Sequence, residues 1–329
     1  MSSMRAHRTA LFLFVIFELF LPVCPRGHAQ GALLLQDADG IAEVMSPLGH
    51  ESVYFARICA ASLTKLRRCA PGEQGVVIAR HRGIGGYDWE AMPLIPYLYS
   101  VEDASAVPTS VDQKTVQDLR IEYHDAHLMS LGKNVPKGGG VHRGWNQLVG
   151  AAYERRIYAF RFETTPAQDD AFIARMNAAV NRSHFSIFFR NCADFSSGVL
   201  NFYFPRAFGR RIVPDSGIVT PREVAYELVR YGHKHPEIRL RVLEIPLVPG
   251  YHHNSRVGKS VVGSLIATGY VIPIAFLSPY AGGAVVADYL AWGREPLPLK
   301  QSRILTPANM APLTSPASSI QASSRAAGP

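Results

Sequence analysis

Cys192 stands in the stretch FRNCADFSSGVLNFY, residues 189–203, where a mostly apolar run passes through Asn191 into a segment of helical spacing. A thiol is a good nucleophile as thiolate, and a helix N-terminus or a neighbouring histidine lowers its pKa. If the residues after Cys192 are helical, the unpaired N–H groups of the first turn point back toward the sulfur. The same amides can hold an oxyanion formed on an attacked carbonyl. Asp194 in that turn suits the dipole but works against a thiolate. The competing reading is a small buried hydrophobe, the ordinary role of a lone cysteine.

A cysteine nucleophile needs a base, and His50 in SPLGHESVYF is the candidate. It follows a glycine at the start of an expected strand, with His50, Ser52 and Tyr54 on one face and Val53 and Phe55 on the other. His81 ends the next strand candidate, GVVIAR, from where it can orient His50. The plainer alternatives are a polar strand-end residue for His50 and an exposed turn residue for His81, beside Arg80 and Arg82. Other clusters carry less. Glu122, His124, Asp125 and His127 in EYHDAHL read as a solvated helix face, since two histidines three apart with no second cluster make a poor metal site. His233 and His235, and His252 with His253, read as surface charge. GKNVPKGGG lacks the glycine-lysine-serine order of a phosphate loop. No cofactor and no metal site is expected.

The chain is 329 residues long and 47% hydrophobic, enough for one sizeable packed domain. Arg5 and Arg8 precede an apolar run from Ala10 to Val23, and Gly27-His28-Ala29 offers small residues at the cleavage spacing. Residues 1–29 therefore read as a secretory signal peptide, and the protein as exported, periplasmic or membrane-associated. Cys24 leaves with the leader. In an oxidising compartment Cys59 and Cys69 can then close a local disulfide, which makes Cys192 the odd thiol. That count, the export leader and the extended-to-helix position favour the nucleophile. Removing Arg5, Arg8, Arg26 and Glu18 with the leader lowers the charge surplus from +8 to +6, which suits an anionic membrane surface or acidic envelope polymer. No basic-aromatic pattern points to nucleic acid.

Extended segments are expected within residues 41–58, over Gly75–Arg80, in LIPYLYSV, in RIYAFRFET and in HFSIFFR. Helices are expected after Ser110 with Gln113, over WNQLVGAAYERR, after Thr165-Pro166 with Gln168, from Cys192 to Tyr203 and after Thr220-Pro221 with Glu223. The mixed order gives an α+β fold over residues 30–250. Residues 260–287 carry no charge and are long enough to cross a bilayer, since about 20 apolar residues suffice. Gly269, Pro273, Pro279 and Gly282-Gly283 interrupt them, so membrane docking or shorter buried helices compete with spanning. Residues 296–329, rich in Pro, Ser and Ala, read as a disordered tail.

A Gly-His strand early and an Asn-Cys helix start much later resemble the circularly permuted NlpC-type branch of the papain-like fold. That branch includes the lecithin:retinol acyltransferase-like proteins and the bacterial Lnb N-terminal periplasmic domains. TTPAQDDAFIARMNAA with FFRNCADF is similar to the helix, strand and Asn-Cys segment of the periplasmic domains, and the likeness spans roughly residues 40–205. It implies an antiparallel sheet packed with helices and the catalytic order His50, His81, Cys192. It also implies a thiol hydrolase or acyltransferase acting on an amide, ester or thioester but does not name the substrate, which the export leader leads us to expect among cell-envelope peptides or lipids. An insertion holding Cys59 and Cys69 departs from the pattern. The alternative is a non-catalytic, membrane-associated binding protein on the same scaffold.

Overall fold

The computed structural model describes residues 29–38, 48–82, 84–131, 145–186, 188–210, 217–251, 258–267, 269 and 271–315. The expected leader up to His28, the loop 132–144 and the His252-His253 pair lie outside the described residues. The chain is α+β. Strands β1 (Ala29–Gln36), β2 (His50–Phe55), β3 (Ile58–Ser62), β4 (Lys65–Arg68), β5 (Val76–Ala79) and β6 (Glu90–Pro93) come first. They are followed by α1 (Leu94–Tyr99), α2 (Gln113–Tyr123), the short α3 (Trp145–Leu148) and β7 (Ile157–Thr164). Then come α4 (Pro166–Ala178), α5 (Cys192–Tyr203), α6 (Pro221–Lys234) and β8 (Arg241–Ile245). Short helices α7 (Val261–Ala267), α8 (Val271–Leu277) and α9 (Pro279–Asp288) precede β9 (Arg303–Ile304) and α10 (Ala311–Thr314).

Seven of these strands form one sheet in the order β6-β5-β2-β1-β7-β8-β9, antiparallel except for β9 beside β8. Side chains alternate between its faces, so each strand feeds two cores. Ala32, Leu34, Tyr54, Val77 and Ala159 face α1, α2 and α3, while Leu33, Val53, Phe55, Ile78 and Phe160 face α4, α5 and α6. That double burial explains why β1, which pairs with both β2 and β7, escapes a search for alternation. GALLLQ is continuously apolar because both faces are covered. β3 and β4 form a separate hairpin inserted between the sheet neighbours β2 and β5, and a Cys59–Cys69 disulfide closes it.

The helix starts follow their caps. Thr165 with Gln168 and Thr220 with Glu223 form reciprocal capping boxes with proline in the first turn. At α2 the cap is Asp112, whose side chain accepts from the Thr115 N–H at 2.7 Å, and not Ser110. LIPYLYSV is helix α1 where a strand was expected; all six α1 side chains are buried, so no polar face reveals the period. HFSIFFR yields only an isolated bridge between Ser186 and Arg190, and Phe188 and Phe189 lie exposed.

Two C-terminal expectations change. Residues 260–287 do not form a single span. They divide into α7, α8 and α9 at the glycine and proline breaks, and among the described residues no helix is long and apolar enough to cross a membrane. Nor are α8 and α9 buried: Ile272, Phe276, Leu277 and Tyr280 are exposed, while Val262 of α7 is buried. The expected disordered tail, residues 296–329, folds back over its described part. Leu305 N–H donates to Glu244 O at 2.7 Å, extending the β8–β9 contact, and Leu305 and Leu313 are fully buried. Apolar anchors spaced among polar residues hold this segment, and composition alone hides them. Leu313→Ala is expected to destabilise the protein by about 2–5 kcal/mol in denaturant unfolding. An unchanged midpoint would mean that the segment is not docked.

Candidate active site

The β2–β5 ladder pairs Val53 with Ile78, Tyr54 with Val77 and Phe55 with Val76, and then stops. Continuing the same register sets Glu51 against Arg80 and His50 against His81, but the strands have parted. The start of α5 occupies the opening. Asn191 caps it: its side chain accepts from the Asp194 N–H at 2.8 Å, and Asp194 accepts from the Asn191 N–H at 3.1 Å. The Asn191 amide also donates to Val219 O at 2.9 Å, tying this helix start to that of α6. Arg80 donates to Asn191 O at 3.3 Å, lies over the Phe195 ring at 5.3 Å and pairs with Asp88 at 2.8 Å. Asp194 is neutralised by Arg210, so its charge is committed away from the sulfur.

Cys192 is free and buried, 9% exposed. The backbone N–H groups of Glu51, Ala193 and Cys192 lie against its sulfur, as an N-terminal helix position requires. Yet burial, with the neighbouring Glu51 carboxyl, pushes the thiol up to about 12 against the pull of those amides. The acidity expected from the helix terminus is thus outweighed by desolvation, because charging a buried group costs more than a few dipoles return. Glu51, on the α5 face, is itself fully buried with neither oxygen bonded, and burial, then Glu223, holds it well above the usual carboxylate range.

His50 and His81 meet on the opposite face. Gly49 makes the turn into β2 at φ +86°, where an added Cβ would lie 2.5 Å from Gln36 O. The two rings sit 5.0 Å apart, centroid to centroid, tilted by 31°. His81 Nδ1 is 3.0 Å from Glu90 Oε2, and burial raises that carboxyl while the contact to His81 opposes the rise. Burial holds His50 well below the ordinary histidine value, with His81 and Arg155 adding to this. Nε2 of both rings lacks a hydrogen-bond partner among the described residues, so the thiol–imidazole bond of a preformed dyad is not made there. On this face Tyr97 hydroxyl bonds Ser52 at 2.8 Å and takes a hydrogen bond from Gln36; burial lifts it to about 12.

The opening therefore brings His50 and His81 together, with Cys192 seated beside Glu51 on the same strand. Glu51, Glu90 and Tyr97 were not anticipated from the sequence. Glu90 had a faint signal, an acidic residue opening an otherwise apolar strand nine positions after His81. The rival clusters separate: His124 is buried edge-on to Trp145 and contacts Asp125, while His127 pairs with Glu102. His235 stacks on Tyr231 and pairs with Glu237. Among the described residues one group has metal-like spacing, Cys59, Cys69 and Glu73, but its two thiols are spent in the disulfide.

No family model matches the chain, and neither a curated protein nor a solved structure matches it. The papain-like resemblance rests on the Gly-His and Asn-Cys segments alone.

A neutral, buried thiol sets a measurable expectation. Iodoacetamide labelling of Cys192 should be slow at mildly acidic and neutral pH and climb through the alkaline range, following the thiolate fraction. Glu51→Gln removes a carboxyl that, once ionised, opposes a thiolate beside it, and should move the profile to lower pH. Fast labelling of the wild-type protein near pH 6 would overturn this account of the site.

Proposed function

We propose that this protein is an exported cysteine hydrolase or acyltransferase on a permuted papain-like scaffold, acting at the membrane on an amide, ester or thioester. The observation that carries the reading is the cross-strand His50–His81 pair in the opening where the capped N-terminus of α5 seats Cys192. Once the His50 ring reaches the sulfur around the unpaired end of β2, Cys192 Sγ attacks the carbonyl carbon as the thiol proton passes to His50. The backbone amide of Cys192 contributes to holding the oxyanion. His81, oriented by Glu90, keeps the His50 ring in place. His50 returns the proton to the leaving amine, alcohol or thiol as the C–N, C–O or C–S bond breaks. Water or an acceptor then attacks the thioester, its proton going to His50 and on to the released sulfur. Because burial keeps both thiol and imidazole neutral at rest, proton transfer accompanies attack, as in a serine enzyme.

The membrane enters through the helices beside this mouth. Gly258 lies so close to the turn before His50 that an added Cβ would be 2.4 Å from Leu48 O, and Arg222 donates to Gly258 O at 3.0 Å. From that base α7, α8 and α9 project without a charged residue up to Asp288, and Phe276, Leu277 and Tyr280 at the α8–α9 turn are 90%, 86% and 91% exposed. Large apolar side chains so exposed favour a lipid phase, each by about 1.5–3 kcal/mol on full burial. Lys259 and Arg294 flank the apolar stretch and have no carboxylate partner among the described residues, which suits anionic headgroups. A mouth next to a lipid-facing turn favours a lipid-borne acyl substrate over a soluble peptide.

The raised thiol and the unpartnered Nε2 of both rings among the described residues favour one second reading, a membrane-associated binding protein that keeps the scaffold without turnover. Turnover of acyl esters, soluble and vesicle-borne, separates the two. Cys192→Ser should abolish it, and His50→Ala should lower kcat/KM by about 10²–10⁴. Turnover that survives Cys192→Ser would sink the enzyme reading; absence of turnover with retained lipid binding would support the second. The triple change Phe276→Ser, Leu277→Ser and Tyr280→Ser should reduce flotation with anionic vesicles at least about tenfold. It should slow vesicle-borne turnover while leaving a short soluble ester unaffected; unaltered flotation would remove the membrane from the proposal.

A further inference from the structure

At the far end of α6 from Thr220, beside the β8 edge, lies a cavity of about 600 Å³. Arg161, Arg239, Arg241, Arg303 and His233 line it, and no carboxylate does. The backbone register makes this concentration deliberate. Arg161 and Arg241 are direct cross-strand partners in β7 and β8, and Arg303 is opposite Leu243, two residues along from Arg241 on the same face. Like charges placed opposite one another across a sheet destabilise it.

The compensation on hand is small. Arg239 lies 3.5 Å from Glu163. Arg161 is 2% exposed, and its Nε donates to Gln30 Oε1 at 2.8 Å, with Nη2 sharing that oxygen. Gln30 is in turn fixed by its bond to Leu313 O, so the guanidinium is held from two ends of the chain. A neutral amide oxygen orients a buried guanidinium but does not neutralise it. Burial lowers the Arg161 pKa, Glu163 works against that, and Arg241 and Arg239 add to the lowering. Neither Arg241 nor Arg303 has an ion-pair partner among the described residues. Four guanidiniums facing one nearby carboxylate leave a surplus that a multiply charged oxyanion would balance.

We infer that this cavity binds a phosphate group, either free phosphate or the headgroup of an anionic phospholipid. The planar guanidinium forks of Arg161, Arg241 and Arg303 match phosphate oxygens in pairs, and a doubly charged phosphate offsets the surplus better than a single carboxylate. The apolar wall from Val229, Leu240 and Pro312 leaves room for the ester substituent of a headgroup. Because the cavity is separate from Cys192, the inference does not depend on the chemistry proposed there.

Calorimetric titration of the full chain at fixed ionic strength tests it, with inorganic phosphate in one arm and a monomeric short-chain phosphatidic acid in the other. Saturable binding in either arm is expected, and the arm that binds identifies the source. Arg241→Gln and Arg303→Gln, at the rim of the cavity, should each weaken binding about tenfold or more. Arg241→Gln should also raise the melting temperature of the ligand-free protein, since it removes the like-charged partner of Arg161. No saturable heat in either arm overturns the inference, and so does binding that both substitutions leave unchanged.

Discussion

The β2–β5 ladder ends at Val53 and Ile78, and much of the candidate site depends on that interruption. A paired strand has its amides committed to its neighbour. Where the pairing stops, the Glu51 N–H is free to turn to a sulfur and Arg80 to reach the cap of a helix. Asn191 fills the opening because it satisfies three demands together: its side chain caps α5, its N–H donates to the Asp194 carboxylate in return, and its amide donates to Val219 O. The inserted β3–β4 hairpin, closed by its disulfide, returns the chain to the sheet in register, so His81 arrives opposite His50 in spite of the 25 residues between Ser52 and Ile78. Its small size keeps that excursion cheap in chain entropy.

Legibility in the sequence followed how locally each feature is encoded. Capping boxes at Thr165, Asn191 and Thr220 are written in four residues, and those helices were visible at once. The alternation of His50, Ser52 and Tyr54 against Val53 and Phe55 was likewise readable, because from Ser52 onward the polar-bearing side chains take one face and the purely apolar ones the other. β1 and α1 were hidden for the opposite reason. Both are buried on all sides, and total burial erases the polar positions that reveal a period. Glu90 left only a faint signal because its pairing with His81 depends on the β5–β6 register, which no short window contains.

The C-terminal region shows how composition misleads in both directions. Residues 299–315 are rich in proline and polar residues, yet Leu305 and Leu313 anchor them to the core, and Leu313 O helps fix the buried Arg161 through Gln30. Residues 260–287 have the composition of a membrane span, yet Gly269 and Ser278-Pro279 break them into short helices. Gly282 lets α8 and α9 approach so closely that a Cβ would lie 2.4 Å from Ala275 Cβ. Part of that hydrophobicity is displayed at the α8–α9 turn, where Phe276, Leu277 and Tyr280 are exposed.

The two buried carboxyls give the site a polarity that the choice of nucleophile alone does not. Glu51 lies beside the sulfur on the α5 face without a hydrogen bond, so a standing thiolate there would meet both desolvation and a second acid. Glu90 lies on the other face, bonded to His81 of the imidazole pair, where it can balance a proton that arrives at the rings. Charge separation across the strand is therefore unfavourable on the sulfur side and supported on the histidine side. A sulfur that forms its bond to carbon while losing its proton never carries the full negative charge that Glu51 opposes. The charge passes to the substrate oxygen, where a backbone N–H can hold it. Burial, which makes Cys192 a poor free thiolate, is then compatible with attack on a bound carbonyl, and it discourages reaction with small solutes that bring no such oxygen.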